Sequence, residues 1–270
     1  MKPVTPIWDE KLADPGGRRR PKPRPFACTM VMDKGLGSRA FLDLTETAGE
    51  YVDFIKLGFG TAAVTPPTLL KTKIEQAVRS GINLYPGGTF FETAWFHGKA
   101  EEYFEKVKEL GMNWVEISDG TIPIAPEERS RLIRKARETG LFVLTEVGKK
   151  SKGSSFSVGE FLAEYETDLE DGASYVIVEG RETGTHVGIF DEQGRMDRGK
   201  VEAILRTAGA GRIIWEAPRK HQQVLLLELT DGNANLGNIP PEDVLSLECL
   251  RRGLRSDTWH LFCQSDPVRK

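Results

Sequence analysis

The sequence predicts an α/β barrel of eight strand–helix units, and three observations predict it. From Phe26 onward, short apolar runs of strand length alternate with stretches of helical periodicity. Four of the runs, NWVEISD at 113–119, LFVLTEVGKK at 141–150, YVIVEGRE at 175–182 and RIIWEAPRK at 212–220, lead into a glutamate: Glu116, Glu146, Glu179 and Glu216. The chain is 270 residues long and 39% hydrophobic, which suits one barrel of about 250 residues. A hydrophobic core gains nothing from four carboxylates at matching places, because burying each one unpaired costs several kcal/mol. A ring of carboxylates around one mouth explains them, and that is the geometry of a TIM (β/α)8 barrel, whose active site lies at the C-terminal strand ends.

The elements follow in order. Residues 1–25 hold six prolines and the run GGRRRPKPRP, with little to bury, and read as an extended or disordered basic arm that stays solvated. Residues 26–270 then form a single barrel domain. Strands are expected at 27–32, 54–57, 82–85, 114–117, 142–145, 175–178 and 213–215, with a weak eighth at 234–236. The helices between them are expected at 38–48, 67–80, 93–110, 126–139, 158–171, 198–208 and 220–229. In the third, Ala100, Tyr103, Phe104, Val107 and Leu110 recur at helical spacing. The last helix starts beside Pro240 and Pro241, proline being favoured in a first turn.

Composition excludes several classes. A net charge of −3, with basic and acidic residues interleaved, argues against a nucleic-acid binder. Three cysteines, Cys28, Cys249 and Cys263, lie far apart and in no metal-ligand spacing, which fits a reducing, cytoplasmic setting. No apolar run approaches the roughly 20 residues of a membrane span, and no signal-peptide core stands at the N-terminus. A soluble homo-oligomer without membrane or nucleic-acid partners is expected. The four histidines are scattered in no zinc spacing, and His186 and His221, in loops of the active face, read as surface polar residues. Nucleophile-elbow, P-loop and dinucleotide fingerprints are missing.

At the C-terminal strand ends the sequence places both signs of charge: Asp33 and Lys34, Lys56, Glu116 with Asp119, Glu146 with Lys149 and Lys150, Glu179 with Arg181 and Glu182, Glu216 with Arg219 and Lys220, and Asn235 with Gly237 and Asn238. Such a mouth suits a hard divalent cation such as Mg²⁺ on some of the carboxylates, leaving lysines and arginines for an anionic substrate. Gly148 would let the backbone before Lys149 and Lys150 come close to a ligand.

These segments resemble the phosphosulfolactate synthase family. The likeness is carried by MDKGLG at 32–37, DFIKLGFGT at 53–61, YPGGTFFE at 85–92, EISDGTI at 116–122, LTEVGKK at 144–150, YVIVEGRETG at 175–184, WEAPRKHQQV at 215–224 and the run from Asn235 to Thr258. Two departures stand out: the basic arm lies outside the family core, and Arg219 and His221 occupy places where Gln and Ser are expected.

The resemblance implies Mg²⁺-dependent addition of sulfite to phosphoenolpyruvate, giving (2R)-phospho-3-sulfolactate. It implies Lys150 as the acid that protonates the adjacent carbon, with Lys34 and Lys56 as further catalytic cations. Metal ligands are expected among Glu116, Glu146 and Glu179. Lys149, Arg181, Arg219, Lys220, Asn235 and Gly237 are expected to bind substrate, the turn at 235–238 as a phosphate site. Two rivals stand beside it: a metal-assisted lyase or aldolase acting on another phosphorylated or carboxylated substrate, and a non-catalytic, stress-associated relative that kept the barrel.

Overall fold

The computed structural model describes residues 7–149 and 153–262. Its eight strands are parallel: β1 (Thr29–Asp33), β2 (Phe54–Leu57), β3 (Asn83–Pro86), β4 (Trp114–Ser118), β5 (Phe142–Val147), β6 (Tyr175–Val178), β7 (Ile213–Glu216) and β8 (Asn235–Ile239). They form one sheet in the order β3-β2-β1-β8-β7-β6-β5-β4, curled into a nearly closed TIM barrel. Among the described residues, β3 and β4 meet at a seam without a hydrogen-bonded ladder.

Helices cover the outside: α1 (Glu10–Ala13), α2 (Ser38–Ala48), α3 (Thr61–Val64), α4 (Pro67–Arg79), α5 (Gly88–Phe96), α6 (Ala100–Glu109), α7 (Pro126–Glu138), α8 (Val158–Glu170), α9 (Arg198–Ala208), α10 (Lys220–Leu229), α11 (Val244–Arg251) and α12 (Trp259–Phe262). None is long and apolar enough to cross a membrane.

The period of two along each strand divides the side chains between two cores. Val31, Ile55, Val115, Val143, Val176, Ile213 and Trp215 face the helices in the larger cluster. Met30, Phe54, Tyr85, Leu144, Ile177 and Ile214 pack together as the floor of the barrel interior. Two residues further along β2, β5, β6 and β7 come Lys56, Glu146, Glu179 and Glu216, all buried. The apolar floor thus supports a charged layer, and the strand period aligns the two.

Three expectations change. The helix expected over 93–110 is two helices, α5 and α6, because the chain turns at Gly98 with φ 69°. The eighth strand begins at Asn235 and runs on to Ile239, where the sequence suggested an end at Leu236. Within the segment before Pro25, residues 19–24 are tied to the barrel and not freely solvated: Arg19 pairs with Glu248 at 2.9 Å and Arg24 with Asp53 at 3.0 Å, both pairs buried. Lys22 donates to the carbonyls of Gly49, Val52 and Ser80. These cations satisfy carboxylates and helix-end carbonyls at the barrel's N-terminal face, partners distant in sequence.

Candidate active site

At the C-terminal mouth a cavity of about 230 Å³ is lined by Lys56, Glu116, Glu146, Glu179 and Glu216. Thr121, Arg181, Glu182 and Asn238 complete its polar wall. Its centre is the Lys56 ammonium, 2.9 Å from Glu216 Oε1, 3.1 Å from Glu116 Oε2 and 3.3 Å from Glu146 Oε2. Burial alone would lower the lysine's pKa. Glu116, Glu216 and Glu146 outweigh it and hold the ammonium well above its usual range. Lys56 is therefore a fixed positive charge that ties three strands together, and a poor proton donor. Burial, with Glu116 beside it, likewise keeps the Tyr85 phenol neutral by raising it well above its usual value.

Backbone N–H groups aim the carboxylates. Gly88, at the start of α5, donates to Glu116 Oε1 at 2.8 Å; Gly180 donates to Glu216 Oε2 at 2.9 Å; Arg181 donates to Glu179 Oε1 at 2.6 Å. A Cβ on Gly88 would collide with Ser118 Oγ and Glu116 Oε1, so only glycine lets the helix start approach this closely. Gly148, at φ +131°, similarly leaves room for the stem of Glu179.

Glu146, Glu179 and Glu216 each offer one oxygen, and these lie within 4.8 Å of one another. The donor set is hard oxygen throughout, which fits Mg²⁺. One further observation agrees. Asn238 Oδ1, buried at this mouth on a residue with φ 55°, has no hydrogen-bond partner among the described residues.

The residues singled out from the sequence divide accordingly. Lys56, Glu116, Glu146, Glu179 and Arg181 meet in the cavity. Glu116, expected with the metal ligands, meets Lys56 and Gly88, and the three carboxylates whose oxygens converge are Glu146, Glu179 and Glu216. Lys34 is exposed and Lys149, also exposed, turns to the carbonyl and carboxylate of Asp119; neither lines the cavity. Lys220 pairs with Asp257 at 2.8 Å, away from the mouth. Asn235 lies at the opposite end of the barrel, because it opens β8: its side chain accepts from Cys28 N and donates to the carbonyls of Ala210, Gly211 and Ile213. Gly237 sits level with Glu216, but the space a side chain would take is filled by Met30 and Ile214 rather than open to a phosphate. Lys150 lies outside the described residues.

Arg219 and His221 act on a loop. Arg219 donates to the carbonyls of Thr183 and Gln193, His221 Nε2 lies 2.9 Å from the Gly194 carbonyl, and the buried Gln222 donates to Gly184 and Gly194. All three fasten the segment between β6 and α9, which carries Arg181 and Glu182 to the mouth. That segment in turn holds the one after β5, through Gly153 N to His186 O and Gly188 N to Ser154 O. Sequence reasoning missed Gln222, since a buried amide satisfying carbonyls of another loop leaves no local pattern. It also left Glu216 out of the metal set, although the step from Ile214 to Glu216 repeats that from Leu144 to Glu146.

The model of the (2R)-phospho-3-sulfolactate synthase (ComA) family matches residues 17–257, and so takes in residues 17–25 of the segment read from sequence as lying outside the family core. The phosphosulfolactate synthase of Methanothermobacter thermautotrophicus is 43% identical over 242 residues, 89% of this chain and 94% of that protein. That of Methanocaldococcus jannaschii is 42% identical over 233 residues, 86% and 93% of the two chains. That of Bacillus subtilis is 36% identical over 246 residues, 90% and 96% of the two. Among solved structures, a 3-hexulose-6-phosphate synthase superposes with a TM-score of 0.55 at 13% identity, covering 83% of this chain and 98% of the other, a likeness of fold alone.

Proposed function

Because the chain belongs to the phosphosulfolactate synthase family, a family of lyase-type enzymes, we propose that it adds sulfite to phosphoenolpyruvate, giving (2R)-phospho-3-sulfolactate. The observation that carries this reading is the buried cluster of Glu116, Glu146 and Glu216 around Lys56, with Glu179 beside Glu146 and Glu216, in a chain with these relatives.

In the proposed reaction the sulfur lone pair of sulfite forms a bond to the methylene carbon of phosphoenolpyruvate. The double-bond electrons move toward the carboxylate, and a proton is then added at the carbon bearing the phosphate ester. Bringing two anions together costs several kcal/mol in a buried pocket, where water screens charge less than in bulk. Glu146, Glu179 and Glu216 would hold Mg²⁺, which, when bound, supplies the positive charge that stabilises the developing carboxylate charge.

The chain's own groups have distinct tasks. Lys56 keeps three carboxylates apart and in register. Arg181, half-buried at the rim, is placed to receive an oxyanion; its planar guanidinium suits bidentate contact. We assign the acid to Lys150 by its place in the EVGKK motif.

A phosphorus NMR time course with phosphoenolpyruvate, sulfite and Mg²⁺, repeated with EDTA and without sulfite, tests the proposal. A new phosphate ester should form only in the complete mixture. Folded protein that forms none would refute it and leave the rival lyase and non-catalytic readings.

A further inference from the structure

The turn that follows β6 is built around a strained residue. It closes on itself, Gly184 N donating to Gly180 O at 3.1 Å. Inside it Arg181 holds φ +58°, in the left-handed region that an L side chain adopts only at a cost. The same turn is joined to the carboxylate trio: Arg181 N donates to Glu179 Oε1 at 2.6 Å, and Gly180 N donates to Glu216 Oε2 at 2.9 Å. A backbone of this kind persists only where its surroundings over-determine it. Those carboxylates fix one end of the turn.

The other end is fixed from α10. Gln222 is fully buried; its Nε2 donates to the carbonyls of Gly184 at 2.8 Å and Gly194 at 2.9 Å, and its Oε1 accepts from Arg219 N at 3.1 Å. Two carbonyls on one side and an N–H on the other admit one orientation of the amide. Gly184 and Gly194 are the two legs of the loop beyond the turn, so a single side chain closes its neck. Arg219 Nε adds a bond to the carbonyl of Thr183 at 2.8 Å. Neither Gln222 nor Arg219 lines the cavity, so their influence there passes through the turn.

We propose that Gln222 is a positioning residue for the candidate active site: by closing this neck it holds Arg181 in its left-handed conformation, and so keeps the Arg181 N–H on Glu179 and the Arg181 side chain at the cavity wall. Without the amide, Arg181 relaxes toward negative φ and its N–H leaves Glu179 Oε1. One member of the trio then loses the bond that orients it. A carboxylate released in this way holds a cation less well, because outer hydrogen bonds sustain the geometry of a ligand. The inference deepens the proposed function and rests on it for the ligands alone, Mg²⁺ at the trio and an oxyanion at Arg181.

Amide NMR of the isotope-labelled full chain, with calorimetric titration by Mg²⁺ alone, tests it. In the parent the Arg181 amide proton, on a short bond to a carboxylate, should resonate downfield and exchange slowly. Gln222→Met should move it upfield, speed its exchange and weaken Mg²⁺ binding about tenfold. Arg219→Met, at an exposed position, should act in the same direction to a smaller extent, and serves if the buried substitution does not fold. Arg181→Gly supplies the contrast: glycine holds a left-handed φ without strain, so adding either change to it should alter Mg²⁺ affinity by less than about twofold. Equal losses in both backgrounds would mean a merely structural role and overturn the proposal. An Arg181 amide unmoved by the folded variants would overturn it as well. A parent that binds no Mg²⁺ would instead remove the metal from the proposed reaction, and the Arg181 amide alone would then decide.

Discussion

Replacing Lys56 by methionine removes a buried cation in contact with Glu116, Glu146 and Glu216 while keeping a side chain of similar length. Breaking a buried ion pair by deleting one partner costs about 3–5 kcal/mol, because the other charge stays buried. For a chain of this size each kcal/mol lowers the unfolding midpoint by about 2–4 °C, so Lys56→Met should melt roughly 6–20 °C early at pH 8. The sign of the pH dependence follows from the raised pKa. A lysine held above its unfolded value of about 10.4 contributes fully below that pH, and its contribution is lost only as pH rises through the still higher folded value. The parent is thus at full advantage at pH 8. The deficit of the variant should therefore be the same at pH 7 and pH 9, and urea unfolding of both proteins at the two values measures it. A variant within about 1 kcal/mol of the parent, or a deficit that changes between the two values, would refute Lys56 as the counter-charge.

Further expectations concern single positions. Glu216→Gln should raise the Mg²⁺ concentration needed for half-maximal turnover by tenfold or more, read by metal titration; an unchanged requirement would remove Glu216 from the trio. Lys150→Ala should lower kcat by orders of magnitude with little change in KM, and near-normal turnover would exclude it as the acid. Asn235→Ala, which deletes four hydrogen bonds at the far end of the barrel, should cost about 2–4 kcal/mol of stability yet leave KM for phosphoenolpyruvate unaltered. A raised KM with unchanged stability would return it to the substrate site.

The barrel and its carboxylate ring were legible because the signal is local. In Leu144–Glu146 and Ile214–Glu216 alike, a two-residue step leads from an apolar floor to a charged layer, and strand period alone aligns the steps. Asn235 was misplaced because Gly237 and Asn238 are poor strand formers. Pairing with β1 and β7 extends β8 through them, an override that no short window contains. Prolines and arginines before Phe26 look solvated until Glu248 and Asp53 are brought beneath them by the fold. Arg219 shows the same limit: its type suits an oxyanion, while its contacts are two carbonyls of a neighbouring loop.

The seam between β3 and β4 bears on how the molecule breathes. Where a ladder is missing, the two edges are joined by Glu116 to Gly88 N, and by Glu92, which accepts from Ser118 Oγ, Thr121 N and Ile122 N. One of the staples is thus a wall of the reaction cavity. Opening the seam and dismantling the cavity are the same event, so whatever occupies the mouth also clamps the barrel shut. Occupancy should then register as slowed amide exchange at Gly88, Thr121 and Ile122, the donors that hold the seam.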